Sequence, residues 1–263
     1  GRPNGGKSML VNQLTGEQRS IVSEVPGTTR DAIDVVIEHK GKSMCFVDTA
    51  GIRRNKGSSS YREQLAIIQS IRRIDNSDIA VIVVDSTDGP RVQDARIAQM
   101  ALRSGRGLLV ALNKTDRVLT NEAKEEIANR VASHLHFADA PLVSISAQNG
   151  TGIEKLYKTI DRVHRNCNRR IKTSQLNDFI EKITTAVPPA TYRGKPVRIL
   201  FASQVKVSPP TFVFACNRNK DAIKANYRKY LENQLRSRWD FEGTAIQLIY
   251  RKRDSHQRPS SPR

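Results

Sequence analysis

The chain opens on a glycine-rich loop, residues 1–8 (GRPNGGKS), which matches the pattern G-x-x-x-x-G-K-[ST]. Glycine lets the backbone approach a phosphate closely, so the N–H groups of such a loop can surround one. In this pattern Lys7 supplies a positive charge to the outer phosphates, and the Ser8 hydroxyl is placed to bind Mg²⁺. The motif predicts a nucleoside triphosphate ligand, and the alternative is a chance glycine loop. The loop residues expected to contact the nucleotide are Asn4, Gly5, Gly6, Lys7, Ser8 and Met9.

A second motif, Asp48-Thr49-Ala50-Gly51, follows a stretch that is expected to be a strand. An aspartate at the end of a strand can hold Mg²⁺ through water, and Gly51 can donate its backbone N–H to the terminal phosphate. Alone, this tetrapeptide is also compatible with a simple turn after a strand. Its position behind a phosphate loop favours the metal-binding interpretation.

Residues 27–31 (GTTRD) lie between these two motifs. A threonine here can bring its hydroxyl to magnesium while the terminal phosphate is present, and loss of that phosphate would release the loop. We select Thr29 for this role, and a hydrophilic loop is the alternative. Lys7, Thr29 and Gly51 are therefore the predicted catalytic residues.

A third motif, Asn113-Lys114-Thr115-Asp116, follows a buried apolar run. A carboxylate here can accept hydrogen bonds from the N1–H and the amino group of guanine. Adenine lacks this pair of donors and would leave the carboxylate unpaired. Lys114 can pack its stem along the base or the loop. A polar exit from a strand is the alternative.

A fourth motif contains Ser146 and Ala147 and ends the next strand, where the backbone N–H of Ala147 can reach the guanine oxygen. Each motif is weak alone, but the four occur in order, and ligands of open parallel sheets bind at the carboxyl ends of the strands. One residue departs from the usual hydrolytic pattern. Ile52 follows Gly51 and cannot orient a water by hydrogen bonding, so hydrolysis must rely on another group, a cation or a partner.

Alternating strands and helices are predicted to position these motifs. Apolar runs at residues 43–48, 79–84, 108–112 and 142–145 are expected to be strands, and helical patterns cover residues 65–74, 92–103, 121–134 and 153–164. This alternation predicts an α/β domain with a parallel sheet covered on both faces. Residues 55–60 are expected to form a loop. The phosphate loop normally follows a strand, so we expect the native chain to begin upstream.

Composition excludes several classes of protein. No apolar run is long enough to predict a membrane span. Cys45, Cys167 and Cys216 lack metal-ligand spacing, which argues against a zinc site or a disulfide framework. The formal net charge is +18, and residues 172–263 carry 18 basic and 7 acidic residues, a net +11. Such a basic segment predicts a polyanionic partner, with RNA as the first candidate and a basic solvated surface as the alternative.

The pattern of elements changes after about residue 170. A helix at residues 174–186 precedes Pro188-Pro189, strands are predicted at 197–205, 211–216 and 245–250, and a helix is predicted from about 220 to 239. Residues from 254 onward are expected to be a disordered basic tail. In the last helix, the spacing of Tyr227, Leu231, Leu235 and Trp239 predicts core positions. The predicted RNA contacts are Lys220, Lys224, Arg228, Lys229, Arg236 and Arg238.

These motifs, with residues 21–34 (IVSEVPGTTRDAID) and 48–54 (DTAGIRR), resemble the EngA, or Der, family of GTPases. Residues 188–194 (PPATYRG), 208–214 (SPPTFVF) and 227–243 resemble the KH-like domain of the same family. The resemblance implies a P-loop GTPase domain with a mostly parallel sheet at residues 1–170, lacking its first strand. A small α+β KH-like domain at 171–253 and the tail at 254–263 follow. Family members carry two tandem GTPase domains, so this chain resembles the second of them plus the KH-like domain.

The resemblance also implies a function in assembly of the large ribosomal subunit, with rRNA and ribosomal proteins as partners. It implies GTP or GDP, Mg²⁺ at Ser8, Thr29 and Asp48, and K⁺ at Asn4. Gly5 and Thr115 depart from the usual small aliphatic residue and tryptophan of the family. No GXXG motif, the loop with which RNA-binding KH domains clamp a backbone, occurs between Gly194 and Gly243.

Two alternatives to this function remain open at this point. One is a GTP-binding RNA scaffold with negligible turnover, and the other is a tRNA-modification GTPase. The high positive charge favours the matrix of an organelle, a mitochondrion first, over bacterial cytoplasm as the compartment, with the protein associated with ribosomes.

Overall fold

A computed structural model describes residues 5–16, 34–47, 74–135 and 139–253. The chain divides into two compact units, which are described one at a time. The first contains Gly1–Arg165 and Glu242–Thr244, and the second contains Asn166–Phe241 and Ala245–Arg263. In the part of the chain that is described, no helix is long and apolar enough to cross a membrane.

Among the described residues of the first unit, three strands form a parallel sheet in the order β3-β4-β5. These strands are β3 (Ile79–Asp85), β4 (Gly107–Asn113) and β5 (Leu142–Ser144). The helices are α1 (Lys7–Gly16), α2 (Val92–Arg103), α3 (Asn121–His134) and α4 (Ile153–Cys167), whose last two residues belong to the second unit. Because the strands run parallel, all three end at one edge of the sheet.

The sheet is buried on both faces, as the apolar runs predict. Leu108, Val110 and Leu112 of β4 pack in one cluster with residues of α2 and α3. Leu109 and Ala111 alternate with them and are also fully buried, so they contact the opposite layer. A strand buried on both faces needs a continuous apolar sequence, which β4 has.

A second, antiparallel pair of strands lies in the same unit, β1 (Asp34–His39) and β2 (Lys42–Val47). The turn between them contains Lys40 and Gly41, both with positive φ, as a tight hairpin requires. Lys40 forms an ion pair with Glu154 at the start of α4, and Nε2 of His39 lies 3.2 Å from the same carboxylate. The pKa of Glu154 lies below its ordinary value, mainly because the Lys40 ammonium donates a hydrogen bond to its carboxylate and partly because of the positive charges nearby.

Most of the predicted elements of this unit are confirmed. The bounds of α2 and α3 match the prediction, and the predicted strands differ by one residue at their ends. Strand β1 was not predicted, and α4 is three residues longer than predicted because it continues through Cys167. The helix predicted at 65–74 and the loops at 27–31 and 55–60 lie outside the described residues, apart from Ile74.

The second unit contains a three-stranded sheet, in the order β6-β7-β8, and two helices. Strands β6 (Ile199–Lys206) and β7 (Thr211–Cys216) are antiparallel, and β8 (Gln247–Lys252) is parallel to β7. The helices α5 (Thr173–Ala186) and α6 (Ala225–Arg238) pack against one face of this sheet. The predicted core positions Tyr227, Leu231 and Leu235 are confirmed as buried, and Trp239 packs against the same cluster.

Three predicted bounds in this unit are corrected. The last helix does not begin near Lys220: a short 3-10 turn, Lys220–Ala222, precedes an extended Ile223, and α6 starts at Ala225. The last strand runs over Gln247–Lys252 rather than 245–250, because its parallel register joins Thr211 to Gln247 and Cys216 to Lys252. The strand predicted at 197–205 runs over Ile199–Lys206.

Candidate functional site

The first functional feature is the start of α1, where the phosphate motif was predicted. The helix begins at Lys7, and the N–H of Leu10 donates to the carbonyl of Gly6 at 2.8 Å. Lys7, Ser8 and Met9 therefore lie in the first turn, where backbone N–H groups point along the helix axis towards a possible ligand. The positive end of the helix dipole lies at the same place, which favours an anion.

Gly6 is required by the geometry of this loop. Its φ is +88°, a conformation that residues with a side chain rarely adopt, and a Cβ built on it would lie 2.2 Å from Nδ2 of Asn113. The carboxamide of Asn113 thus occupies the space beside the loop. The phosphate motif and the third motif, more than 100 residues apart, contact each other directly.

Asn113 connects three loops. It ends β4, is almost fully buried, and its Nδ2 donates to the carbonyl of Gly5 at 3.0 Å. Its Oδ1 accepts from the N–H of Ala147 at 2.9 Å. One side chain therefore holds the phosphate loop and the loop after β5 against the end of β4.

The residues after Asn113 form a tight turn. Lys114 has a positive φ of 63°, and the 3-10 turn Thr115–Arg117 follows it. Thr115 fixes this turn to the neighbouring strand, because both its N–H and its hydroxyl donate to the carbonyl of Ile145, at 3.2 and 2.9 Å. The turn therefore holds Asp116 in a defined position beside the loop after β5.

Asp116 carries an unusual carboxylate oxygen. Its Oδ1 is buried and has no hydrogen-bond partner among the described residues. A buried carboxylate oxygen without a donor costs free energy, so such an atom is expected where a ligand supplies the hydrogen bond. The donor set that fits one carboxylate is a pair of N–H groups, as on the edge of guanine.

Lys114 is held by a residue that sequence reasoning missed. Its Nζ forms an ion pair with Oδ2 of Asp85, the last residue of β3, and Oδ1 of Asp85 accepts from both the N–H and the hydroxyl of Thr87. Burial raises the pKa of Asp85, but the bonds from Lys114 and Thr87 outweigh it and leave the pKa below its ordinary value. The sequence did contain a signal for Asp85. It is a carboxylate at the end of a buried strand, at the edge of the sheet where the other motifs lie.

The loop after β5 differs from the prediction in one contact. Ser146 is buried, and its hydroxyl accepts from the N–H of Asn149 at 3.2 Å. The N–H of Ala147, predicted to reach a guanine oxygen, donates instead to Asn113. Contact with guanine through this N–H requires that the bond to Asn113 be shared or exchanged.

Several predicted site residues lie outside the described part of the chain: Asn4, Thr29, Asp48 and Gly51. Ser8 is therefore the predicted magnesium ligand whose position is described, in the first turn of α1. A hydroxyl oxygen there is a ligand type that Mg²⁺ accepts beside bound phosphates. Within the described ranges, no cluster of three or more His, Cys, Asp or Glu side chains is arranged to hold a metal.

The six residues predicted to bind RNA all lie in the second unit, but they are not equivalent. Arg228 donates to the carbonyls of Ile223 and Lys220, both at 2.8 Å. Arg236 donates to Glu232 at 3.1 Å and to the carbonyl of Phe241 at 3.0 Å. Both guanidinium groups thus stabilise the unit itself.

The other four predicted RNA contacts, Lys220, Lys224, Lys229 and Arg238, have exposed side chains. Lys229 pairs with Glu232 at 3.4 Å, and the guanidinium of Arg238 lies over the ring of Trp239. These exposed groups remain the predicted contacts of the helical layer.

Two family profiles match the chain. Residues 1–114 match the family described as 50S ribosome-binding GTPase. Residues 170–251 match the family described as KH-domain-like of EngA bacterial GTPase enzymes, C-terminal. The two profiles thus match the parallel-sheet unit and the smaller α+β unit respectively.

Curated relatives agree with both profiles. GTPase Der of Moorella thermoacetica is 40% identical over 254 residues, which is 96% of this chain and 58% of that protein. GTPase Der of Desulfitobacterium hafniense is 41% identical over 262 residues, 98% of this chain and 58% of the relative. The chain therefore spans a little more than half the length of the curated relatives it matches.

Solved structures give weaker likenesses. Era of Aquifex aeolicus bound to GDP and AlF4⁻ has a TM-score of 0.49 and 20% identity, covering 95% of this chain and 89% of Era. The G domain of the T. maritima FeoB iron transporter has a TM-score of 0.41 and 27% identity, covering 60% and 91%. With TM-scores below 0.5, these likenesses add nothing to the assignment.

The sequence relatives and the two profiles agree with the motifs at the sheet edge and with the α+β unit that follows them. The chain has a P-loop GTPase domain with a parallel sheet and a KH-like domain after it. It belongs to the EngA, or Der, family of GTPases.

Proposed function

We propose that this chain binds GTP, hydrolyses it to GDP and phosphate, and docks on the large ribosomal subunit through RNA during assembly of that subunit. The observation that carries the GTP assignment is the buried Oδ1 of Asp116, which has no hydrogen-bond donor among the described residues. Guanine supplies N1–H and an amino group to one carboxylate, and adenine does not. Guanine would therefore be selected, because another base would leave the carboxylate without its hydrogen-bond donors.

In this proposal, the start of α1 would bind the phosphates. The first-turn N–H groups and Lys7 would bind the outer phosphates, while Asn113 holds the loop of Gly5 and Gly6 at the end of β4. Charge that develops on the phosphoryl oxygens during in-line attack by water would be stabilised by these fixed donors.

Two cations belong to the proposal. Mg²⁺ would be held by Ser8, Thr29 and Asp48, and K⁺ by Asn4, and both would neutralise charge on the phosphates. The potassium site rests on the family resemblance, together with an isoleucine, Ile52, where a water-orienting glutamine is common.

The ribosomal part rests on two supports. The profile that matches residues 1–114 describes a GTPase that binds the 50S ribosomal subunit. Residues 172–263 carry a net charge of +11, which suits a polyanion such as rRNA. The curated relatives reported above are bacterial proteins, which gives the mitochondrial expectation no support.

Base selection is tested with Asp116→Asn. The substitution removes the charged acceptor and introduces an amide, which can donate to the 2-oxo group of xanthine. Two charge-assisted hydrogen bonds to guanine, worth about 1.5–3 kcal/mol each, are lost. GTP affinity should therefore fall by about 100-fold or more. Xanthosine triphosphate should bind better to the variant than to the wild type. Glu125→Gln is the matched control, because it makes the same change from carboxylate to amide at an exposed position of α3. Unchanged GTP affinity in Asp116→Asn would refute the assignment.

The ribosomal role is tested by co-sedimentation with large subunits and their precursors, with a non-hydrolysable GTP analogue, GDP or no nucleotide. Pelleting that depends on the analogue supports a GTP-gated factor. Equal pelleting in all three states, with no phosphate release in potassium buffer, would contradict the proposal and favour a GTP-binding RNA scaffold. Lys7→Ala should abolish nucleotide binding or turnover in the same assays.

A further inference from the structure

The feature that the proposed function does not use is the open face of the sheet in the KH-like domain. Side chains of a strand alternate between faces, and here Ala202, Phe214 and Tyr250 point into the buried cluster beneath α5 and α6. The alternate residues point away from both helices. Two cross-strand rows form this open face, Phe201-Ala215-Arg251 and Ser203-Val213-Ile249.

Several apolar side chains of the open face are exposed to solvent. Phe201 is 46% exposed and Ile249 is 36% exposed, and Val205, further along β6, is 58% exposed. Val213 and Ala215 on the central strand are half-buried between them. Exposed apolar groups that are contiguous across a sheet indicate a binding surface, whereas scattered ones do not.

The charge of this face has one sign. None of the three strands contains an aspartate or a glutamate, and Lys206 and Arg251 are basic and exposed on this face. Lys252 alternates with Arg251 and pairs with the buried Cys216, so it lies on the other face. Arg253, directly after β8, adds another exposed basic side chain. Arg251 lies in the same row as Phe201, so an aromatic ring and a guanidinium are presented together.

We propose that this open sheet face, formed by the rows Phe201-Ala215-Arg251 and Ser203-Val213-Ile249, binds single-stranded RNA. A base would stack on the ring of Phe201 on β6, and Arg251, in the same row on β8, would contact a phosphate. Exposed aromatic residues on an open sheet with basic side chains are a recurrent platform for single strands.

Two observations favour RNA over a protein partner. All the charged side chains of the three strands are basic, and the aromatic ring and the arginine share a row. Because the sequence has no GXXG loop, the usual clamp of KH domains, an RNA contact of this domain has to use another surface. The inference rests on the proposed function because it assigns the RNA contact of that function to a surface. It differs from the contacts predicted on α6, which lie in the helical layer.

The test measures binding of a fluorescein-labelled oligouridylate of about eight nucleotides to the full chain by fluorescence anisotropy. Phe201→Ala should weaken binding about tenfold, for the loss of one stacked base. Phe201→Tyr should retain binding, and Phe201→Leu should lose it, because leucine is apolar but cannot stack. Val187→Ala, an equally exposed apolar residue at the end of α5, is the control and should bind like the wild type.

Arg251→Ala should weaken binding and reduce the dependence of log affinity on log salt by about 0.7, the value for one phosphate contact on a single strand. Lys182→Ala removes one exposed charge from α5 and should leave that slope unchanged. This comparison separates a specific phosphate contact from the general charge of the domain. Since both side chains are exposed, neither substitution should alter folding.

Phe201→Ala or Phe201→Leu binding the oligonucleotide like the wild type would overturn the inference. If Phe201→Leu still binds ribosomal subunits and Phe201→Ala does not, the face docks on a protein through apolar contacts. That result would also overturn the inference. GTP binding and hydrolysis are measured on the same variants. Wild-type chain that neither binds GTP nor pellets with subunits would refute the proposed function instead, independently of the oligonucleotide result.

Discussion

Replacing Asn113 with alanine tests whether one side chain organises the nucleotide site. The substitution removes the bonds to the carbonyl of Gly5, at 3.0 Å, and to the N–H of Ala147, at 2.9 Å. Each buried backbone group left unpaired costs about 1–3 kcal/mol, although water can reach part of the space that is vacated. We therefore expect the free energy of opening of the first unit to fall by about 2–4 kcal/mol.

The assay is amide hydrogen exchange of β4 without nucleotide and with chelator, so that ligand binding does not contribute to stability. The amides of Gly107–Asn113 are suited to this because the whole strand is buried. Asn113→Asp is the informative partner variant, because it keeps an acceptor for Ala147 but places an oxygen against the carbonyl of Gly5. It should be at least as destabilising as alanine.

Asn129→Ala is the matched control, since Asn129 is exposed on α3 and the same atoms are removed. Its effect should lie within the helix-propensity range, below about 0.7 kcal/mol. A change for Asn113→Ala no larger than that of this control would refute the reasoning. The phosphate loop would then be positioned by contacts other than the Asn113 carboxamide.

Three further predictions follow from the described contacts. Gly6→Ala should abolish GTP binding measured by equilibrium dialysis, because its Cβ would collide with Asn113 at 2.2 Å. Asp85→Asn should lower the free energy of unfolding near pH 7. Since the pKa of Asp85 is lowered in the fold, this difference should persist above about pH 4 and shrink as the pH falls further, as measured by urea titration. Cys45 is exposed and should react with Ellman's reagent at pH 8, whereas Cys216, buried and with its pKa raised to about 11, should react only after unfolding.

Each of these three predictions has an outcome that contradicts it. Wild-type GTP affinity in the Gly6 variant would show that the loop can move away from Asn113. An Asp85→Asn difference that stays constant down to about pH 3 would show that the charge of Asp85 is not what stabilises the site. Equal thiol reactivity of Cys45 and Cys216 in the folded chain would contradict the burial of Cys216.

Elements that obey one simple pattern were predictable from the sequence. The run in β4 is apolar throughout, which indicates a strand buried on both faces, and α2 and α3 have helical periodicity with bounds that match. Strand β1 was missed although Val35, Ile37 and His39 alternate as buried residues before the Lys40-Gly41 turn. Its sequence begins just after the GTTRD motif of residues 27–31, and no element was predicted for it.

Bounds that depend on tertiary pairing were not predictable. The residues around Lys220 fit a helical period, but Ala222 and Ile223 are buried through a 3-10 turn and an extended residue rather than through a longer α6. The bounds of β8 are fixed by its parallel register with β7, which carries the strand into Arg251 and Lys252. Sequence alternation alone cannot reveal such a register.

The site shows the same division between local chemistry and distant contacts. The types of residue at Lys7, Asn113 and Asp116 predict their chemistry, because each motif is short and local. The contact of Asn113 with Gly5 joins residues 108 positions apart, and no local pattern encodes it. The ion pair of Asp85 is also a distant contact, since its partner Lys114 lies in the turn after the next strand.

The contacts of Asn113 also show how motifs that are far apart in the sequence meet at one edge of the sheet. Parallel strands bring the ends of β3, β4 and β5 to that edge, and the side chain at the end of β4 contacts both the loop after β5 and the loop before α1. Asn113 is at that position, and its carboxamide offers one donor and one acceptor in opposite directions. Aspartate has no donor and leucine has neither group, so neither residue can hold both loops. Asp116, which we propose selects the base, is then placed by a turn whose start is already fixed, and its buried Oδ1 has no donor among the described residues.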